Sequence, residues 1–133
     1  MIGMVNYQPV LYVSGSWHER DRARAFAERA RALGLRIAHE WWDRKHDDKQ
    51  PAQQVLDDLR GVWTADMFVL LECATHSMRS AWAEFGAFIA RGSLPPVVVV
   101  AASLDKSCFF VNHPSVVRVA TDDAALEALR VRA

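Results

Sequence analysis

The chain of 133 residues predicts one domain, residues 1–133, with a three-layer α/β/α architecture around a mostly parallel sheet of about five strands. Three observations carry this. Strand-like apolar runs alternate with helical patterns along the chain. Two of the runs, residues 67–71 (MFVLL) and 97–102 (VVVVAA), are uninterruptedly apolar, as strands covered on both faces are. Gly15, Gly34 and Pro51 punctuate the joints between strand and helix.

The elements follow in order. Residues 10–15 (VLYVSG) form a short β-rich run ending in glycine. Residues 19–33 set Ala23, Phe26, Ala27, Ala30 and Leu33 at helical spacing with arginines opposite, and Gly34 stops the helix. Residues 35–41 (LRIAHEW) alternate like a strand, and the polar segment to Gln50 reads as an exposed loop. Pro51 opens a helix through Thr64, with Val55, Leu59 and Val62 on one side. After the strand at 67–71 and the loop CATHSMR comes a helix over residues 80–92 (SAWAEFGAFIARG), then the strand at 97–102. Residues 108–114 read as irregular and 116–120 as a short edge strand. Thr121 or Asp122 caps a last helix to Val131. The result is flavodoxin- or Rossmann-like, and ligands in such sheets bind outside the carboxyl ends of the strands, at the switch point.

Composition narrows the partners. Sixteen acidic residues balance sixteen basic ones, whereas a nucleic-acid polymer calls for a basic excess, so DNA and RNA are disfavoured and small ligands remain. The longest apolar run is too short to span a bilayer. Cys73 and Cys108 are too few for a disulfide framework, and no paired Cys/His spacing suggests a metal site. The expectation is a cytoplasmic protein without membrane attachment, metal or cofactor.

Glu84 is the first candidate for chemistry. In a helix it shares a face with Ala81 and Phe88 rather than with lysines or arginines, and an unpaired buried charge is costly. Pairing with Arg79 or Arg91 near the helix start is the plain alternative; a desolvated carboxylate in a cleft is a recurrent functional design. Gly86, two residues on, predicts that something packs closely against the helix there. Asp66 directly precedes a buried strand, where tying down backbone groups is its natural role. Asp58 stands beside Asp57, and only one of the two can point toward the sheet edge. Tyr12 alternates within the first strand. Trp41 and Trp42 offer either packing or a stacking surface for a planar base. The loop GSWHER is no standard phosphate loop, yet Gly15, Ser16, His18 and free backbone donors could hold one small anion. His39, His46 and His113 are scattered, and neither a GxSxG elbow nor a Cys–His pair stands out.

Taken together, LYVSGSWHERDR, DLRGVWTADMFVLLE and AEFGAFIARG resemble the nucleoside 2-deoxyribosyltransferase family and its relatives, the 2-deoxynucleoside 5-phosphate N-hydrolases, over roughly residues 10 to 102. The matching positions are Tyr12 with Gly15 and Ser16, Asp58 before Ala65 and Asp66, and Glu84 with Gly86. The resemblance implies cleavage of the N-glycosidic bond of a (deoxy)nucleoside or its 5-monophosphate, by hydrolysis or base transfer, through a covalent glycosyl ester on Glu84. Asp58 would protonate or orient the leaving base, Tyr12 would position the sugar or the glutamate, and Ser16 and its loop would meet the 5-hydroxyl or 5-phosphate. Trp41, Asp66 and His18 join the substrate-binding candidates. Relatives place an aspartate or serine about six residues before the glutamate; here Met78 occupies that spacing and Ser77 is the nearest stand-in. The family also implies a homodimer or larger homo-oligomer, with Asn112 the candidate for a residue lent by a neighbouring subunit. Two other readings use the same residues: a nucleotide-binding or sensing module without turnover, and an NAD glycohydrolase.

Overall fold

A computed structural model describes residues 7–43, 50–92, 97–100 and 108–133. Five strands, β1 (Val10–Gly15), β2 (Arg36–Ile37), β3 (Met67–Leu71), β4 (Val97–Val100) and β5 (Val116–Val119), lie parallel in the order β2-β1-β3-β4-β5. Four helices join and flank them: α1 (Arg20–Ala32), α2 (Pro51–Thr64), α3 (Arg79–Ile89) and α4 (Asp122–Arg132). Right-handed crossovers send α1 to one face and α2 and α3 to the other; α4 packs beside α1, and α2 packs beside α3. This is the expected three-layer α/β/α fold with its parallel sheet. The chain reverses direction across the sheet between β1 and β3, which makes that junction the switch point.

Local chemistry explains the boundaries. Ser16 caps a short 3-10 turn (Trp17–Glu19) by accepting from the His18 N–H, so α1 begins one residue later than the periodicity predicts. Gly34 adopts φ 92°, the left-handed conformation that ends a helix at low steric cost. Thr121, of the two candidate caps, is the one that accepts the Ala124 N–H, at 3.1 Å. The segment read as irregular contains a 3-10 turn, Phe109–Asn112. The expected loop at 44–49, with His46, and residues 101 and 102 of the expected fourth strand lie outside the described residues.

Two expectations are corrected. The second strand is two residues long rather than spanning 35–41, pairing only Val10 with Arg36 and Leu11 with Ile37. Its chain then leaves the ladder, because the Trp41 indole turns under the sheet to donate to the Val13 carbonyl (2.6 Å) and Trp41–Asp43 close a 3-10 turn. In α2 the side that carries Val55, Leu59 and Val62 is not uniformly covered: Val62 is buried, but Val55 and Leu59 are exposed. The core itself is built on β1 and β3: Leu11, Tyr12 and Val13 beside Phe68, Val69 and Leu70 are all inaccessible to solvent. No helix among the described residues is long and apolar enough to cross a membrane.

Candidate functional site

The site starts from the two-residue period of β1. Tyr12 and Ser14 point to the same face of the sheet, the face that α2 and α3 cover, and both are fully buried. Phe68, paired with Tyr12 across the β1–β3 ladder, stacks on its ring at 5.6 Å between centroids. On the other side α2 comes unusually close. A Cβ on Gly61 would lie 2.9 Å from both the Tyr12 ring and the His39 Cβ, so only glycine fits there. The Tyr12 hydroxyl is thereby fixed in direction.

That direction is toward Glu84. The Tyr12 hydroxyl donates to Glu84 Oε2, and the Ser14 hydroxyl donates to Oε1 at 2.9 Å. Strand β1 thus supplies a donor to each oxygen of a carboxylate held out from α3. Burial pushes the Glu84 carboxyl up from 4.5 to about 7. The Tyr12 hydroxyl pulls it back down, the negative charge of Asp58 adds to the rise, and Ser14 and the positive charge of a protonated His39 pull it down again. The carboxylate is therefore poised between its two protonation states near neutral pH. Glu84 as a whole is only half-buried, which leaves it reachable.

Asp58, from α2, lies within electrostatic reach of Glu84 and approaches His39, from the segment after β2, at 3.0 Å between Oδ1 and Nε2. This is ion-pair distance, yet the His39 Nε2 proton has no aligned hydrogen-bond acceptor and the atom is buried. Asp57 points instead to a groove of about 310 Å³ that it shares with Ala38, His39, Arg60, Gly61 and Thr64. Asp58 is thus the member of the pair that faces Glu84. Arg91, a candidate partner for Glu84, goes elsewhere: it donates to the Val62 and Ala65 carbonyls at the end of α2.

The rim is built from the loops after β1 and β3. Ser16 is nearly buried, and His18 is exposed beside it. The His18 ring stacks on His76 at 3.9 Å, which joins the two loops and sets exposed Ser77 next to the stack. Gly15 ends β1, and a Cβ added there would meet the Leu71 carbonyl at ordinary van der Waals distance. Cys73 is buried with Sγ 3.6 Å from His76 Nδ1 and 3.4 Å from Thr75 Oγ1, so a Cys–His contact exists where none stood out in the sequence. Met78, at the spacing where relatives are polar, is a buried packing residue.

Two substrate-binding candidates fall outside this group. Asp66 sits at the amino end of β3, accepting from the Val10 N–H (2.8 Å) and the Tyr7 hydroxyl, which ties the chain's entry to the sheet at the edge opposite the switch point. Trp41 is buried, packed edge-on against Trp42, with its indole N–H held by β1. It supports the end of β1 from within the core and offers no open face to a base. Gly86 meets nothing within 4 Å, so the close packing expected there is found at Gly61 instead. Two contributors, Ser14 and Gly61, were not singled out in the sequence, and His39 was set aside there as one of three scattered histidines. Ser14 was the most accessible, since it stands two residues from Tyr12 on one strand face. Among the described residues, no three His, Cys, Asp or Glu side chains gather to hold a metal ion.

The chain matches no protein-family model and no curated protein. Among solved structures it is similar to the CMP N-glycosidase BcmB of Clostridium botulinum, at 14% sequence identity and a TM-score of 0.61. The likeness covers 92% of this chain and 98% of that one. The two proteins share a fold. It is also the fold that the Tyr12, Asp58 and Glu84 motifs led one to expect, carried end to end along both chains.

Proposed function

We propose that the protein is an enzyme that cleaves the N-glycosidic bond of a nucleoside or nucleoside 5-monophosphate. The observation that carries this is the pair of hydroxyls from β1, Tyr12 and Ser14, holding both oxygens of Glu84 at the switch point. The shared fold with a CMP N-glycosidase supports the substrate class.

In this reading a Glu84 oxygen attacks the anomeric carbon as the bond to the base breaks, and the bonding pair leaves with the base nitrogen. Asp58, with His39 beside it, supplies a proton to the departing base. The resulting glycosyl ester is resolved when water, or a second base, attacks the same carbon; the C–O bond to Glu84 breaks and the carboxylate is regenerated. The incoming water passes its proton to the Asp58–His39 pair, which closes the cycle. Tyr12 and Ser14 hold the attacking oxygens in line and, by favouring the ionised form, counter the effect of burial. Ser16, His18 and Ser77, at the rim, take the 5-hydroxyl or 5-phosphate.

Incubation with a panel of nucleosides, their 5-monophosphates and NAD, with and without an acceptor base, tests the assignment by chromatography of the released base. Base release by the native chain and its loss, by a factor of about 10³ or more, in Glu84→Ala is the expected result. Equal release by the two proteins overturns it. A nucleotide that raises the melting temperature while no base appears replaces it with a binding module, and free nicotinamide from NAD alone replaces it with the glycohydrolase reading.

A further inference from the structure

Carboxylic acids ordinarily ionise well below neutral pH, so a carboxyl that protonates a departing base has to be resupplied by a neighbour. Asp58 has a neighbour fit for that in His39, whose Nε2 lies 3.0 Å from Asp58 Oδ1. Nε2 is buried and engaged in no hydrogen bond, so its proton is withheld from water. At that separation a small rotation of the ring brings the N–H into line with the carboxylate. The rest of the imidazole is not sealed off. The His39 side chain keeps 24% of its surface exposed, and of its two ring nitrogens Nε2 is the buried one. One ring therefore meets Asp58 on its inner side and solvent on its outer side.

The outer side is the groove of about 310 Å³ between the end of β2 and α2. Asp57, Arg60 and Thr64 make its walls polar enough to hold water. None of the rim residues Ser16, His18 and Ser77 lines it, so it reaches solvent on a different side from the loops that would receive the sugar. Gly61 makes the arrangement possible. A Cβ there would lie 2.9 Å from the His39 Cβ and from the Tyr12 ring, so the glycine lets α2 bring Asp58 up to the imidazole. The titratable groups around the ring come from three elements. Asp57, Asp58 and Arg60 stand on α2, Glu84 on α3 feels the His39 charge, and Tyr12 of β1 lies on the other side of Gly61.

We propose that His39 is a proton relay between this groove and Asp58, giving the site a proton path that stays open while substrate fills its mouth. In the first half-reaction Nδ1 takes a proton from groove water as Nε2 passes its own to Asp58 Oδ1, and the other Asp58 oxygen protonates the base nitrogen as the glycosidic bond breaks. In the second, the water that attacks the anomeric carbon hands its proton back through Asp58 to Nε2, and Nδ1 releases its proton to the groove. Each half-reaction leaves the imidazole neutral with its proton on the opposite nitrogen, and the two together restore it. His39 acts through Asp58 and touches no substrate atom. The destination of the proton rests on the N-glycosidase reading; the path itself rests on the His39–Asp58 contact and the groove.

Chemical rescue tests it, with a nucleoside or nucleoside 5-monophosphate from which the native chain releases base. His39→Ala and His39→Gln are both expected to lower kcat by a factor of about 10². Added imidazole, which fits the space the missing ring leaves beside the groove, is expected to restore His39→Ala in proportion to its concentration and to leave Glu84→Ala inactive. Native turnover in either His39 variant overturns the proposal. So does recovery by glutamine without rescue by imidazole, the signature of a purely structural histidine; His39→Gln decides should the alanine variant not fold. A second readout needs no turnover. Nitrogen-15 spectra of the ring in the resting native chain, at a pH where the imidazole is neutral, should place the His39 proton on Nε2, and Asp58→Ala should abolish that preference. A proton held on Nδ1 in both proteins overturns the relay. Absence of base release from the native chain fails the glycosidase reading instead, and the ring spectrum then decides the relay alone.

Discussion

At the scale of single residues, Glu84 sets a conflict between stability and chemistry. Its folded-state pKa of about 7 stands above the ordinary 4.5, so between those values the native chain binds a proton that the unfolded chain has lost. Stability from this group is complete below pH 4.5 and falls as the pH rises to 7, by about 3 kcal/mol in all. Glu84→Gln keeps the shape and the hydrogen-bond partners but cannot ionise. Urea unfolding should therefore find the variant more stable than the native chain by about that amount at pH 8 and equal to it near pH 4; equal stability at both would place the carboxylate in a wet, unstrained setting. The same group predicts the pH dependence of turnover. A nucleophile must be ionised, so kcat/KM should climb as the pH passes about 7. Tyr12→Phe removes the donor that favours the carboxylate and should move that rise to higher pH, by on the order of one pH unit. Asp58→Asn removes a repelling charge and should move it to lower pH. Both shifts are read from pH profiles of base release, and like movement of the two would sink the electrostatic account. None of this was visible around Glu84 in its own helix, whose neighbours are apolar. The partners come from β1 and α2, which are dozens of residues away in the chain.

At the scale of elements, the site depends on the seam between α2 and α3. Arg91, just beyond α3, donates to the Val62 carbonyl at 3.0 Å and to the Ala65 carbonyl, satisfying orphan acceptors at the end of α2. Its guanidinium also lies 4.9 Å from the centre of the Phe88 ring and 5.6 Å from that of Trp63. Arg91→Ala should cost roughly 2–3 kcal/mol in thermal or denaturant unfolding, with Arg91→Lys recovering only part because the planar fork is lost. A cost near zero would show the seam to be held by apolar packing alone. The periodicity of α2 located the helix and both its ends, since Pro51 and Thr64 bound it as expected. It did not tell which of its residues are buried: Val62 is, Val55 and Leu59 are not, and Asp58 lies within electrostatic reach of Glu84.

At the scale of the whole molecule, one polar cluster joins α1, α4 and the end of β3. Arg22 of α1 makes a two-pronged pair with Asp122 of α4, at 2.9 and 2.6 Å, and also donates to the Glu72 carbonyl just after β3. Asp122→Ala leaves that partly buried guanidinium without its main partner and should cost about 1–2 kcal/mol, lowering the melting temperature by several degrees. An unchanged melting temperature would make the α1–α4 contact incidental. What this sequence determined by itself was the order of strands and helices and the parallel sheet, and it singled out Glu84, Asp58 and Tyr12, which the fold brings together. Those follow from local periodicity, apolar runs and short motifs, which are properties of neighbouring residues. Only the tertiary structure decided that Ser14 and His39 join the group, that Gly61 rather than Gly86 marks the close approach, and that Asp66 and Trp41 serve the scaffold. Each of these depends on how strands and helices far apart in the chain are brought into register. Such registers are set by the summed burial of β1 and β3 against both helical layers, and no local stretch of sequence contains that sum.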